Sequence, residues 1–282
     1  MKIISGGEFT GERALFKSTD LRIENARFHS GESPLKESSG IDIESCEFAW
    51  KYPLWYCKDV TVADTVFEES ARSGIWYTHN VEIVDSVIAA PKTFRRSSGI
   101  KLTRVSMPNA LESAWNCTDM ELTDVTVKGD YFGFASSDVI ADGLDVDGNY
   151  LFDGGRNITV RNSRLISKDA FWNCENVIVE NCTVVGEYLG WNSKNVTFIN
   201  CIIESNQGMC YMQNVTLRGC RLSNTDLCFE YCTVDAEIDS HIDSVKNPIS
   251  GRIVARSIGE IIHEPDKVDV DKTLIIEVDK NV

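Results

Sequence analysis

A short phrase returns about every 19–21 residues through most of the chain, and a repeat of that length leaves few folds open. The phrase runs apolar, polar, apolar, any residue, then Asn, Asp or Gly, then small, polar, apolar. Ile41 to Phe48, Val60 to Phe67, Val177 to Val184, Val196 to Ile203 and Val215 to Leu222 follow it. Its first positions are Leu21, Ile41, Val60, Val81, Ile100, Met120, Val139, Ile158, Val177, Val196 and Val215. Leucine-rich repeats have a comparable period. Here, however, the columns are largely β-branched, the Leu-x-x-Leu-x-Leu frame is missing, and no helical pattern separates the phrases. Arrays of helix pairs fail on the same ground.

Each phrase reads as two short strands meeting at a corner. Val177 and Val179 share one strand face, Asn181 breaks the alternation, and Cys182 and Val184 restart it in a new direction. The corner column holds Asp64, Asp85, Asp124, Gly143, Asn162, Asn181, Asn200 and Gly219, with Arg104 as the exception. These types tolerate left-handed backbone angles. A second such column, from Asp59 through Asn80, Gly99 and Asp119 to Asn214, precedes the strands. Two corners and three short strands per turn make a coil, and coils stacked about 4.8 Å apart make an all-β, single-stranded parallel β-helix. The expected domain is 1–264, with irregular final rungs or a cap after Val234. Residues 265–282 are expected to be a charged C-terminal tail, with Leu274 to Val278 as an edge strand.

The phrase Asn195 to Cys201, returning at a fixed period, resembles the pectin lyase-like superfamily of single-stranded right-handed β-helices. With its Trp-Asn-Cys phrases, the chain further resembles an uncharacterised bacterial family within that superfamily. The likeness covers about residues 8 to 238. It implies a right-handed β-helix. It does not name a reaction, because lyases, hydrolases, tail spikes, adhesins and non-enzymes share such rungs.

Composition removes several functions. Among 282 residues, 28 are Lys or Arg and 43 are Asp or Glu, for a formal net charge of −15. Such a surface repels nucleic acid, although an acidic rod can also mimic it. No apolar run reaches the length of a membrane helix. Met1 to Phe16 lacks the apolar core of a secretory signal, so a cytoplasmic location with reduced thiols is expected. The ten Cys then read as buried small groups at inward corners: Cys46, Cys182, Cys201 and Cys220 form one column, and Cys57, Cys117 and Cys174 another. There is no phosphate-binding loop and no dinucleotide fingerprint, so no nucleotide cofactor is expected.

The strongest functional signal is an aromatic column. Five residues before the strand positions stand Phe16, Lys36, Trp55, Trp76, Arg95, Trp115, Phe134, Asp153, Trp172, Trp191 and Cys210. The three charged members argue for a surface or corner position. The next column is polar and includes Tyr56, Tyr77, Arg96, Asn116, Asn173, Asn192 and Tyr211. Together they would form a stripe whose rings stack on sugar faces and whose amides bond sugar hydroxyls, with an oligosaccharide as partner. Trp55, Tyr56, Trp76, Tyr77, Arg95, Trp115, Asn116, Trp172, Asn173, Trp191 and Asn192 are its expected ligand-binding residues. Against this stands an aromatic ladder that only packs on itself and on the following loops, since strict alternation from the Cys and Ser column points Trp inward.

Catalytic residues are not legible. A polysaccharide lyase needs a base and usually Ca²⁺, and a hydrolase needs two carboxylates about 5–9.5 Å apart. Glu112 with Asp130, and Asp169 with Glu187, would sit on adjacent coils at about that spacing. Asp142, Asp145 and Asp147 are the candidates for a weak Ca²⁺ site. The expected function is therefore a carbohydrate-binding or carbohydrate-active β-helix. Its alternatives are a non-catalytic cytoplasmic scaffold or interaction surface, and an acidic nucleic-acid mimic.

Overall fold

The computed structural model describes residues 1–279 and falls into two compact units, Met1–Asp145 and the chain from Val146 onward. Both are stretches of single-stranded parallel β-helix. In the first, the repeat's first positions pair in register from coil to coil: Leu21 with Ile41, Ile41 with Val60, Val60 with Val81, Val81 with Ile100, Ile100 with Met120, and Met120 with Val139. In the second, Ile158, Val177, Val196, Val215 and Val234 pair in the same manner. Every one of these pairings is parallel. The 3-10 turns Glu69–Ala71 and Val270–Lys272 are the helical elements among the described residues. No helix there is long and apolar enough to cross a membrane.

The corners lie where the Asn, Asp and Gly columns put them. In the column through Asp64 and Gly219, φ runs from 49° to 70°, and in the column through Asp59 and Asn214 from 53° to 63°. Arg104 adopts the same left-handed angle, 52°, and pairs with Asp85 on the previous coil at 2.6 Å. Side-chain ladders brace the corners. Asn200 donates to Asn181 and Asn181 to Asn162, while Asn214 donates to Asn195, Asn195 to Asn176 and Asn176 to Asn157.

A further corner follows the aromatic column, for which the charged members argued a surface or corner position. Lys17, Glu37, Tyr56, Tyr77, Arg96, Asn116, Asn173, Asn192 and Tyr211 all have φ between 50° and 60°. Most of these residue types disfavour that region. Hydrogen bonds to the next coil hold them there: the amides of Tyr56, Tyr77 and Asn173 donate to the carbonyls of Trp76, Arg95 and Trp191 at 2.9 Å. This corner resets the alternation. Leu54 and Cys57 are both buried, while Trp55 between them is only half-buried. The inward Trp that strict alternation predicts is thus corrected, because a left-handed residue separates the two faces.

Inside, like stacks on like. Phe9, Phe28, Phe48 and Phe67 form a ladder with ring centroids 4.7–5.0 Å apart, which is the rung spacing. All ten Cys are free thiols and buried. Several donate to main-chain carbonyls of the preceding coil, as Cys57 does to Leu35 and Cys174 to Phe152. Burial raises the thiol of Cys57 to about 11 and those of Cys117 and Cys174 to about 12. After Val234 the strands lengthen to Thr233–Lys246 and Ser250–Ile262, and Thr273–Glu277 pairs in parallel with the latter. The last three residues of the expected tail lie outside the described residues.

Candidate functional site

The aromatic column is a surface ladder, and its two stretches differ. In the first unit Trp55 stacks on Trp76 at 5.3 Å. The Arg95 guanidinium is then sandwiched between Trp76 and Trp115, 4.6 and 4.7 Å from the ring centres. Trp115 meets Phe134 at 4.9 Å. Arg95 is held by ring faces and by an ion pair of its Nη2 with Glu112 at 3.8 Å, since its buried Nε and Nη2 have no hydrogen-bond partner among the described residues. Beside this stack Tyr56 and Tyr77 form a second, outer ladder at 4.8 Å, with Tyr56 48% exposed. Asn116 is exposed next to Trp115.

Most indole N–H groups are already engaged. Trp55 donates to the Ser73 carbonyl, Trp76 to Lys92 and Trp115 to Tyr131, at 2.5–2.8 Å. In the second unit Trp191 donates to Gln207 at 2.5 Å. Each bond ties one coil to the loop of the next. Trp172 differs: among the described residues its indole N–H has no partner, and its one ring neighbour, Tyr150, lies 6.3 Å away.

Around Trp172 the column narrows to Asp153. Its carboxylate accepts from Asn173 at 3.2 Å, and Asn173 accepts from Asn192 at 2.8 Å. A row of carboxylate and exposed amides therefore runs beside Trp172 and Trp191. Burial raises the carboxyl of Asp153, and the Asn173 bond opposes the shift. Asp169, only 4% exposed, is raised too: burial is the main cause, Lys168 and the Tyr150 hydroxyl oppose it, and Glu187 and Asp153 add to it.

The predicted carboxylate pairs are placed on adjacent coils but are not equivalent groups. The Glu112 amide donates to the Asp130 carbonyl at 2.9 Å, while the Glu112 carboxylate is held by Lys92 at 3.1 Å. The Asp169 amide donates to the Glu187 carbonyl at 2.9 Å. Glu187 itself is exposed and paired with Lys168 at 3.3 Å, so its carboxylate is bound to a cation while that of Asp169 is buried. Asp142, Asp145 and Asp147 are exposed. No group of three His, Cys, Asp or Glu side chains able to hold a metal ion occurs among the described residues. Sequence reasoning did not place Asp153 among the catalytic candidates. The signal was there, since it is the one carboxylate in an otherwise aromatic, basic or thiol column.

A family model for proteins of unknown function, DUF3737, matches residues 2–276. The chain belongs to the DUF3737 family. A search of curated proteins finds no match. Among solved structures, this DUF3737 chain is similar to a surface adhesin of Streptococcus pneumoniae, with 8% identity, a TM-score of 0.41, and coverage of 85% of this chain and 82% of that one. It is also similar to the A-module of a mannuronan C-5 epimerase of Azotobacter vinelandii, with 12% identity, a TM-score of 0.35, and coverage of 84% and 90%. A pentapeptide repeat protein involved in heterocyst differentiation regulation, from the cyanobacterium Nostoc, shares 8% identity at a TM-score of 0.26, over 81% and 89%. These likenesses carry no argument about activity.

Proposed function

We propose that this protein is a carbohydrate-recognising β-helix of the pectin lyase-like kind, and that it holds a saccharide on the face around Trp172. The observation that carries this reading is the state of Trp172. Its indole N–H has no partner among the described residues, unlike those of Trp55, Trp76, Trp115 and Trp191, and exposed Asn173 and Asn192 run beside it. An indole next to amides and a carboxylate offers a sugar an apolar surface and hydrogen bonds at once. Asp153, bonded to Asn173 on this face, is the carboxyl suited to proton transfer on such a ligand, because burial keeps it protonated to higher pH than a solvated carboxylate.

One observation favours a second reading, a non-catalytic β-helix whose aromatic face meets a protein. The other indole N–H groups are tied to main-chain carbonyls, as in a ladder that serves the fold. Titration with neutral and acidic oligosaccharides, followed by tryptophan fluorescence, separates the two. Trp172→Ala and Asn173→Ala are expected to weaken binding at least tenfold with the thermal transition retained. Binding unchanged in both variants would move the site off this face, and silence of the wild-type protein across the panel would leave the interaction scaffold.

A further inference from the structure

The first unit contains a cleft that the aromatic ladder does not reach. The coil from Val60 to Val81 is two residues longer than the coils on either side. The extra length is folded into the 3-10 turn Glu69–Ala71, anchored by fully buried Ala71. This turn raises one wall of an open cleft of about 710 Å³, whose other walls include Trp50, Lys51 and Pro91. That volume is in the range of ligand sites.

On one side of the cleft Arg27 and Glu47 pair with each other at 3.0 Å and Ser70 donates to the Ala49 carbonyl, while several other lining groups are unengaged. Trp50, the one Trp outside the ladder, is 40% exposed, and its indole N–H has no partner among the described residues. The Lys51 ammonium stands 5.8 Å from the ring centre and is also bound to Glu32 at 2.9 Å. Among the described residues Glu68, Glu69 and Arg72 form no ion pair, on a surface where many coils pair their charges. A ligand of one charge would leave the opposite set of groups facing a like charge or nothing. A neutral polyhydroxyl ligand satisfies both, because hydroxyls donate to Glu68 and Glu69 and accept from Arg72. A single amino acid would also match both charges, yet it fills only a small part of the volume.

We infer that this cleft is a second binding site, which takes a short neutral oligosaccharide with one sugar ring packed on Trp50. The inference rests on the saccharide reading of the protein but uses none of the same residues.

Fluorine NMR of the full chain labelled with 5-fluorotryptophan tests it, since each of the six Trp reports its own site. Resonances are assigned by single Trp→Phe variants. Cellohexaose, maltohexaose and mannohexaose are the probes, with glutamate and glycine as the amino-acid arm. The Trp50 resonance is expected to shift saturably with at least one hexasaccharide, and Arg72→Ala to weaken that response at least fivefold. Shifts of Trp172 or Trp191 without Trp50 would overturn the cleft while leaving the other face in place. A shift of Trp50 alone would support the cleft and remove the Trp172 face. A response to amino acids and not to sugars would overturn the ligand class, and no response from any resonance would sink both sites.

Discussion

At the scale of single residues the fold is written in corners. Asn181 has φ of 55° and stands in a ladder between Asn162 and Asn200. Asn bears this conformation more easily than other side chains, and its side chain donates to Asn162 on the previous coil and accepts from Asn200 on the next. Asn181→Ala is expected to lose about 1–2 kcal/mol of stability in urea denaturation, and Asn181→Gly about half of that, since glycine keeps the backbone but not the ladder bond. Equal losses in the two variants would mean that the hydrogen bond, not the corner, is the source. Gly186 is a stricter case. At φ of 154° an added Cβ would lie 2.0 Å from the Ser167 carbonyl oxygen, so no side chain fits without moving the previous coil.

At the scale of the coil, a half-buried Trp can brace the next loop or face a ligand, and its N–H shows which. Trp191 is tied to Gln207, whereas Trp172 has no such bond among the described residues. Trp191→Phe removes both a hydrogen bond and ring area, and Trp172→Phe removes ring area alone. The first is expected to destabilise the protein by about 1 kcal/mol more than the second in the same urea experiment. A reversed order would mean that Trp172 is the structural member of the ladder. Arg95 belongs to the same logic. A guanidinium replaces a ring between Trp76 and Trp115 because its flat face stacks as an aromatic does.

At the scale of the whole molecule, buried thiols set how stability depends on pH. An unfolded thiol ionises near 9.0, whereas Cys57 keeps its proton to about 11, and Cys117, Cys174 and Cys210 to about 12. Between those values the unfolded chain binds fewer protons than the folded one, so stability falls as pH rises. Each of these thiols withdraws on the order of 3–4 kcal/mol across that window. The midpoint of thermal unfolding is expected to be flat near pH 7–8 and to drop steeply above pH 9. A midpoint unchanged to pH 11 would show the thiols to be solvated. Asp153 and Asp169 act in the same sense at the acid end. Their raised carboxyls favour the folded state as pH falls toward 3.8, the ordinary value, and withdraw that stability as pH rises through their folded pKa.

The repeat, the register and two of the corner columns were determined by the sequence alone, because β-branched alternation and Asn, Asp or Gly at fixed spacing act within a few residues. The first positions from Leu21 to Met120 pair as their period requires. The direction of the tryptophans was decided only in the folded chain. Tyr56, Arg96 and their column adopt left-handed angles that their side chains do not favour, and the bonds that hold them come from the next coil. Local preference therefore pointed Trp55 inward, and the stack of coils turned it out. Likewise, the sequence offered five ladder tryptophans as equals, while the N–H groups of four of them meet a carbonyl 16–18 residues away. Trp172 and Trp50 stand apart because no such carbonyl meets them, and only the neighbouring coil decides that.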